Sequence, residues 1–140
     1  MSTQTRDANG SFLAMRVGVE SLFPEIAKAA NEAAFRNLGH AAASIRKDAA
    51  ATIERSQDAS EPGEPPHTRR GQLKRAFRFD VSPDSAIVGP LFSVVGVSAA
   101  AHEFGDEYRG EDYPERPFMG PALERATPRF LESWRGSIGE

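Results

Sequence analysis

The chain has 140 residues, a formal net charge of −3 and no cysteine. This length fits a single domain with its own core. The charge argues against strong non-specific attraction to nucleic acid, and the lack of cysteine excludes disulfides and thiolate metal sites. The polar start of the sequence predicts no signal peptide, and no apolar run approaches the roughly 20 residues that cross a bilayer, so we expect no membrane contact.

The N-terminal part of the chain is predicted to contain one strand. Residues 1–10 are polar and predict a flexible start, which precedes a single domain over residues 11–140. Between Phe12 and Glu20, apolar residues alternate with small or polar ones. This period of two is typical of a half-buried strand.

A long helix is predicted next, from Ser21 as the N-cap and Pro24 in the first turn to about Ser56. Its apolar residues recur every three or four positions and therefore share one face. They are Leu22, Ile26, Ala30, Ala33, Ala34, Leu38, Ala41, Ile45, Ala49 and Ile53. We expect this face to pack on the sheet of the same chain, and one end of the helix to be available to another subunit.

A proline-rich loop is predicted over residues 57–68, because its prolines remove backbone donors and fix φ. Long loops in small domains are often functional. We expect this one to contact a neighbouring protein through Pro62, Gly63, Pro65 and Pro66.

The middle of the chain is predicted to complete the sheet. A short helical turn over residues 69–76 leads into a strand over 77–81, where apolar and charged residues alternate. A Ser-Pro-Asp-Ser turn at 82–85 follows. The next strand is predicted over 86–88, and the sheet is expected to continue over 91–97.

The C-terminal part is predicted to contain two helices. A short helix over residues 98–104 should end at Gly105, and a polar loop over 106–117 should follow. A last helix is expected from about Gly120 to Ser137, with a kink at Pro128. The predicted fold is therefore α+β: an N-terminal strand, a long helix on a small, mostly antiparallel sheet, a short helix and a kinked C-terminal helix.

Residues that carry catalysis are not apparent in the sequence. His102-Glu103 would need a second histidine one helical turn later to match a zinc motif, and Asp106 stands there. The serines do not form a G-x-S-x-G elbow, and the glycines form neither a G-x-G-x-x-G motif nor a P-loop. We therefore predict no enzyme, no cofactor and no metal site.

A basic cluster is the strongest candidate for binding. It consists of Arg69, Arg70, Lys74, Arg75 and Arg78. Three interpretations are open: a solvated face balanced by Glu61, Glu64 and Asp80, a surface for an acidic protein partner, or a contact to the phosphates of DNA.

Three motifs occur in order along the chain. The first runs from Pro62-Gly63-Glu64-Pro65-Pro66 into Arg70-Gly71-Gln72-Leu73, the second is Ile87-Val88-Gly89-Pro90, and the third runs from Ala101-His102-Glu103-Phe104-Gly105 to Arg116-Pro117-Phe118-Met119-Gly120-Pro121-Ala122-Leu123. In this order and spacing they resemble the tail-completion (head–tail joining) proteins of long-tailed bacteriophages, over roughly residues 20–138. Arg70 departs from the family, which usually has threonine there.

This resemblance implies a structural protein of the phage neck. It would form a ring of identical subunits, often six-fold, between the portal-associated connector and the tail terminator or tube, with channel DNA as a further contact. It would be made in the host bacterial cytoplasm and end in the virion. The alternatives are a head-side adaptor or stopper of the connector and, in a different class, a small nucleic-acid-binding module that uses residues 69–78.

The resemblance also assigns structural roles. The residues concerned are Gly71, Leu73, Gly89, His102, Glu103, Phe104, Gly105, Arg116, Pro117, Phe118 and Pro121. Among them, Gly105 is expected to let the chain reverse, and Phe118 is expected to fill the core between two stiffening prolines. An ion pair between Glu103 and Arg116 across this corner is a further hypothesis.

Overall fold

The computed structural model describes residues 2–4, 13–17 and 23–137. Four strands form an antiparallel sheet: β1 (Ser2–Gln4), β2 (Leu13–Arg16), β3 (Phe77–Val81) and β4 (Ser85–Pro90). Their order in the sheet is β1-β2-β4-β3. Helix α1 (Pro24–Thr52) crosses one face of β3 and β4, which confirms the predicted α+β fold.

The buried face of α1 follows the predicted stripe from Ala30 to Ala49, and Ile53 just beyond the helix is also buried, whereas Ile26, predicted to be in the stripe, is exposed. The 29 residues of the helix span about 44 Å at 1.5 Å per residue. The helix ends earlier than predicted because the following segment pairs with the end of the proline-rich loop. Thr68 N–H donates to the Glu54 carbonyl at 2.8 Å, and Ser56 N–H donates to the Thr68 carbonyl at 3.2 Å.

The N-terminal strands agree with the sequence in part. The strand predicted between Phe12 and Glu20 is present over Leu13–Arg16, where Met15 pairs with Ala86 and is buried. Strand β1 was not predicted. The N-cap of α1 is Phe23 rather than the expected Ser21. The other residues of the segment 1–10, Ser21 and the stripe residue Leu22 lie outside the described residues.

The middle of the chain matches the prediction up to the end of β4. Helix α2 (Gln72–Ala76) leads directly into β3, and Ser82 N–H donates to the Ser85 carbonyl at 2.8 Å in the β3–β4 turn. The predicted strand over residues 91–97 is wrong, because Phe92–Val95 forms the short helix α3. A short apolar run is compatible with either element. Leu91 N–H donates to the Ala76 carbonyl at 2.9 Å in the register of the β3–β4 pair, but Ala76 is the last residue of helix α2, so the residues after Leu91 have no strand to pair with.

The C-terminal part contains one element that the sequence did not suggest. Helix α4 (Ser98–Phe104) has the predicted bounds, but the expected polar loop contains a hairpin of β5 (Asp106–Tyr108) and β6 (Glu111–Tyr113). Helix α5 (Met119–Glu132) follows and packs on α1. It ends before the expected Ser137, and the kink expected at Pro128, which lies inside it, stays a prediction.

The core lies between α1, the sheet and the start of α5. Its largest fully buried side chains include Phe77, Phe118, Leu38, Ile45 and Met119. Phe77 and Phe118 meet edge to face with ring centroids 5.8 Å apart. The core therefore joins strand β3 to the start of α5. Among the described residues, no helix is long and apolar enough to cross a membrane.

Candidate interaction surfaces

The first and third of the motifs that carry the resemblance come together at one corner of the domain. Gly63 N–H donates to the Glu115 carbonyl at 2.8 Å, and Arg116 Nε donates to the Ser60 carbonyl at 2.9 Å. Arg116 N–H also donates to the His102 carbonyl at 2.6 Å. The proline-rich loop, α4 and the segment before α5 are therefore tied to one another by hydrogen bonds between residues far apart in sequence.

Glu103 holds the other side of this corner. Its side chain is buried, and its carboxylate accepts three backbone N–H groups at the start of α5, from Phe118 at 2.8 Å, Met119 at 2.9 Å and Gly120 at 2.7 Å. A carboxylate at a helix N-terminus is favourable because it satisfies unpaired N–H groups and faces the positive end of the helix dipole. The hypothesis of an ion pair between Glu103 and Arg116 is thus replaced by a helix cap.

Three motif glycines, Gly63, Gly71 and Gly105, have positive φ angles that favour glycine. Gly105 ends α4 with φ 69° and ψ 154°, and a Cβ added there would lie 3.2 Å from the Tyr113 carbonyl oxygen. Gly71 precedes α2 with φ 77°. The role expected for Gly105, reversal of the chain after the short helix, is confirmed.

The remaining motif residues divide into core and surface. Phe118 and Leu73 are buried, which confirms Phe118 as a core residue, while Pro117 and Pro121 are half-buried and Phe104 is exposed. Gly89 lies in β4 opposite Arg78. Pro66, predicted to contact a neighbour, is instead fully buried, so it anchors the loop, whereas Pro62 and Gly63 are exposed and Pro65 is half-buried.

All five residues of the predicted basic cluster are exposed, and we call this set the basic face: Arg69, Arg70, Lys74, Arg75 and Arg78. Its internal hydrogen bonds go to backbone carbonyls, such as Arg75 Nη2 to Arg70 at 3.2 Å and Arg78 Nη1 to Phe77 at 2.8 Å. None of the ion pairs between described side chains involves these five residues. The proposed balance by Glu61, Glu64 and Asp80 therefore does not take the form of ion pairs.

An exposed apolar ridge lies beside the basic face. It consists of Leu91, Phe92, Val94 and Val97, which are 40–53% exposed. Helix α3 packs against α2, and α4 packs against β5, so the ridge lies along the chain between the basic face and the β5–β6 hairpin. The sequence did not indicate this ridge, because residues 91–97 were predicted to form a strand of the sheet.

The β5–β6 hairpin carries four exposed carboxylates, on Asp106, Glu107, Glu111 and Asp112, and we call it the acidic hairpin. Arg109 and Gly110 both have positive φ, 54° and 76°, as a two-residue hairpin turn requires. The usual sequence signals for such a turn have Asn, Asp or Gly at its first position, which is why Arg-Gly did not reveal it. The two acidic residues of each strand are not in any ion pair of the described side chains.

An open polar cleft of about 460 Å³ separates the basic face from the acidic hairpin. Its lining includes His67, Arg69, Gln72, His102, Tyr113 and Arg116. Burial, and then the nearby charge of Arg116, lower the pKa of His102 below its usual value of 6.5, so this histidine is neutral at pH 7. Within the described residues no three His, Asp or Glu side chains are grouped so that they could hold a metal ion.

Comparisons with protein-family models, curated proteins and solved structures found no match to this chain. The function is therefore inferred from the motifs, from the corner at which the first and third motifs meet, and from the three exposed surfaces.

Proposed function

We propose that this chain is a structural subunit of the neck of a tailed bacteriophage, which completes the tail and joins it to the head connector. The observation that carries the proposal is the corner around Arg116. Two of the motif segments that resemble the tail-completion family are joined there across more than 50 residues, as in the hydrogen bond from Gly63 N–H to the Glu115 carbonyl. Residues that form one bonded unit are expected to be kept together in a family.

The surfaces support a role in binding rather than catalysis. A domain of this size with an apolar ridge, an acidic hairpin and a basic face on neighbouring elements has the features of a protein interface. In the proposed assembly, identical subunits form a ring, of six copies by analogy with the family, around the DNA channel. The ring would lie in the virion between the connector and the tail terminator or tube.

Disruption of the gene in the phage that encodes the chain tests this role. The proposal expects filled heads and separate tails that do not join, and normal particles when the wild-type chain is supplied in trans. Antibody labelling should mark the junction between head and tail in those restored particles. Joined, infective particles without the chain would contradict the proposal, and label on the head alone would favour the adaptor or stopper alternative.

A DNA-binding module is the second candidate, because the five cations of the basic face have no ion-pair partner among the described side chains. Such a module would bind duplex DNA with an affinity that falls steeply as salt rises. Titration of labelled DNA with the protein at several salt concentrations measures this directly. The neck proposal expects weak binding at physiological salt.

A further inference from the structure

We infer that the basic face of one copy binds the acidic hairpin of a second copy. The inference deepens the proposed function and rests on its claim that the chain self-assembles. It names the contact through which two copies meet.

The cations of the basic face have no ion-pair partner among the described side chains. All five side chains are exposed, and those of Lys74, Arg75 and Arg78 donate to carbonyl oxygens, for example Lys74 Nζ to Ile53 at 3.4 Å. Carbonyl oxygens satisfy donors but do not neutralise charge. A carboxylate-bearing surface is therefore the complementary partner of this face.

The acidic hairpin is destabilised by repulsion between its own carboxylates. Glu107 and Asp112 lie directly opposite each other in the antiparallel pair, and like charges in that position destabilise a sheet. A separate two-stranded hairpin is itself only marginally stable in water. A cationic surface that covers both carboxylates would turn this repulsion into attraction.

Within one copy, the basic face and the acidic hairpin both border the polar cleft. Arg69 and Tyr113 both line the polar cleft, which therefore lies between the basic face and the acidic hairpin. None of the ion pairs between described side chains joins the hairpin to the basic face within one copy, so in this contact the opposite charge comes from a second copy. The apolar ridge on α3 lies between the same two surfaces, so the contact would also bury Phe92 and its neighbours.

Charge-reversal variants test the contact. The hairpin variant is Glu107→Lys with Asp112→Lys, which keeps like charges opposite each other and so preserves the internal cost of the hairpin. The face variant is Arg69→Glu with Arg70→Glu, two residues whose backbone carbonyls accept hydrogen bonds from Arg55 and Arg75 and so keep these bonds when the side chains change. Light scattering and sedimentation at about 50 mM and about 500 mM salt measure association, and circular dichroism checks folding.

The inference predicts that wild-type association is salt-sensitive. It also predicts that the association constant of each variant alone is lower than that of the wild type by at least about tenfold. An equal mixture of the two variants should recover association, because each reversed surface then meets its complement. A chain with all four changes should recover it alone. If a reversal variant does not fold, Glu107→Gln with Asp112→Asn replaces it and should weaken association.

Three results would overturn the inference: wild-type protein that stays monomeric at low salt, variants that associate as the wild type does, or a mixture no better than its components. Wild-type monomers that bind DNA through the basic face belong to the first of these results. The proposed function is judged separately. A salt-insensitive ring would support the neck and refute this contact, whereas a salt-sensitive particle of two copies would support this contact and contradict a ring.

Discussion

Oε1 of Glu103 accepts a hydrogen bond from the backbone N–H of Gly120 at 2.7 Å, although 17 residues separate them. The carboxylate of one short helix thus caps another helix, and its second oxygen accepts from two further N–H groups there. Because the start of α5 also provides the core residue Phe118, this cap fixes how the C-terminal helix meets the sheet.

Replacement of Glu103 by glutamine should lower the free energy of unfolding by about 2 kcal/mol. The amide retains one carbonyl acceptor but loses the charge and sets an N–H₂ group against backbone donors. Chemical denaturation measures the change, and Glu124→Gln, on the exposed side of α5, is the matched control. Equal stability of the two variants would show that the cap does not stabilise the helix.

Replacement of Gly105 by alanine should cost about 2 kcal/mol, because the residue has φ 69° and its new Cβ would crowd the Tyr113 carbonyl. Gly39 is the control, since it lies inside α1 with open space around the position of a Cβ. Gly39→Ala should stabilise the protein by up to about 1 kcal/mol. Thermal unfolding of both variants should therefore shift in opposite directions, and a shift in the same direction would contradict the account.

Phe118→Ala should destabilise the protein by about 4 kcal/mol, because it leaves a cavity against Phe77. Phe92→Ala, on the apolar ridge at 53% exposure, should change the free energy of unfolding by less than about 0.5 kcal/mol. Urea denaturation separates the two. The same Phe92 variant should associate more weakly than the wild type, and unaltered association would remove the ridge from the proposed interface.

Arg116→Ala should loosen the proline-rich loop while the helices stay folded. The change removes the Nε donor to Ser60, next to the bond between Gly63 and Glu115. Amide hydrogen exchange at Gly63 should then accelerate by about tenfold. Arg135→Ala, which removes an exposed ion pair with Glu132, should leave that exchange rate unchanged; the idea fails if both variants behave alike.

His102 should make stability depend on pH in a defined direction. Its pKa in the folded protein is lowered, first by burial and then by Arg116, from the ordinary 6.5 that the unfolded chain retains. Below pH 6.5 the unfolded state therefore binds more protons, and stability falls as pH drops from 6.5 towards the folded pKa. His102→Asn should flatten this part of the pH profile, and NMR titration should place the pKa of His102 below 6.5.

The sequence was informative where local signals agreed with tertiary packing. The alanine stripe of α1 predicted its buried face, and Gly105 marked the end of α4. The sequence failed where tertiary structure decided the local conformation: β3 is preceded by helix α2, so the residues after Leu91 have no strand to pair with, and they form α3. The charge of Glu103 suggested an ion pair, whereas its burial beside α5 made it a helix cap. No pattern in the sequence indicates that two distant segments meet.

Negative-stain electron microscopy of the purified protein at high concentration and low salt tests the central claim most directly. The account predicts closed rings of one size with a central opening wide enough for duplex DNA, and a light-scattering mass that is a whole multiple of the subunit mass. Particles that remain monomers or two-fold dimers under all conditions would contradict the assembly of this chain into a neck ring.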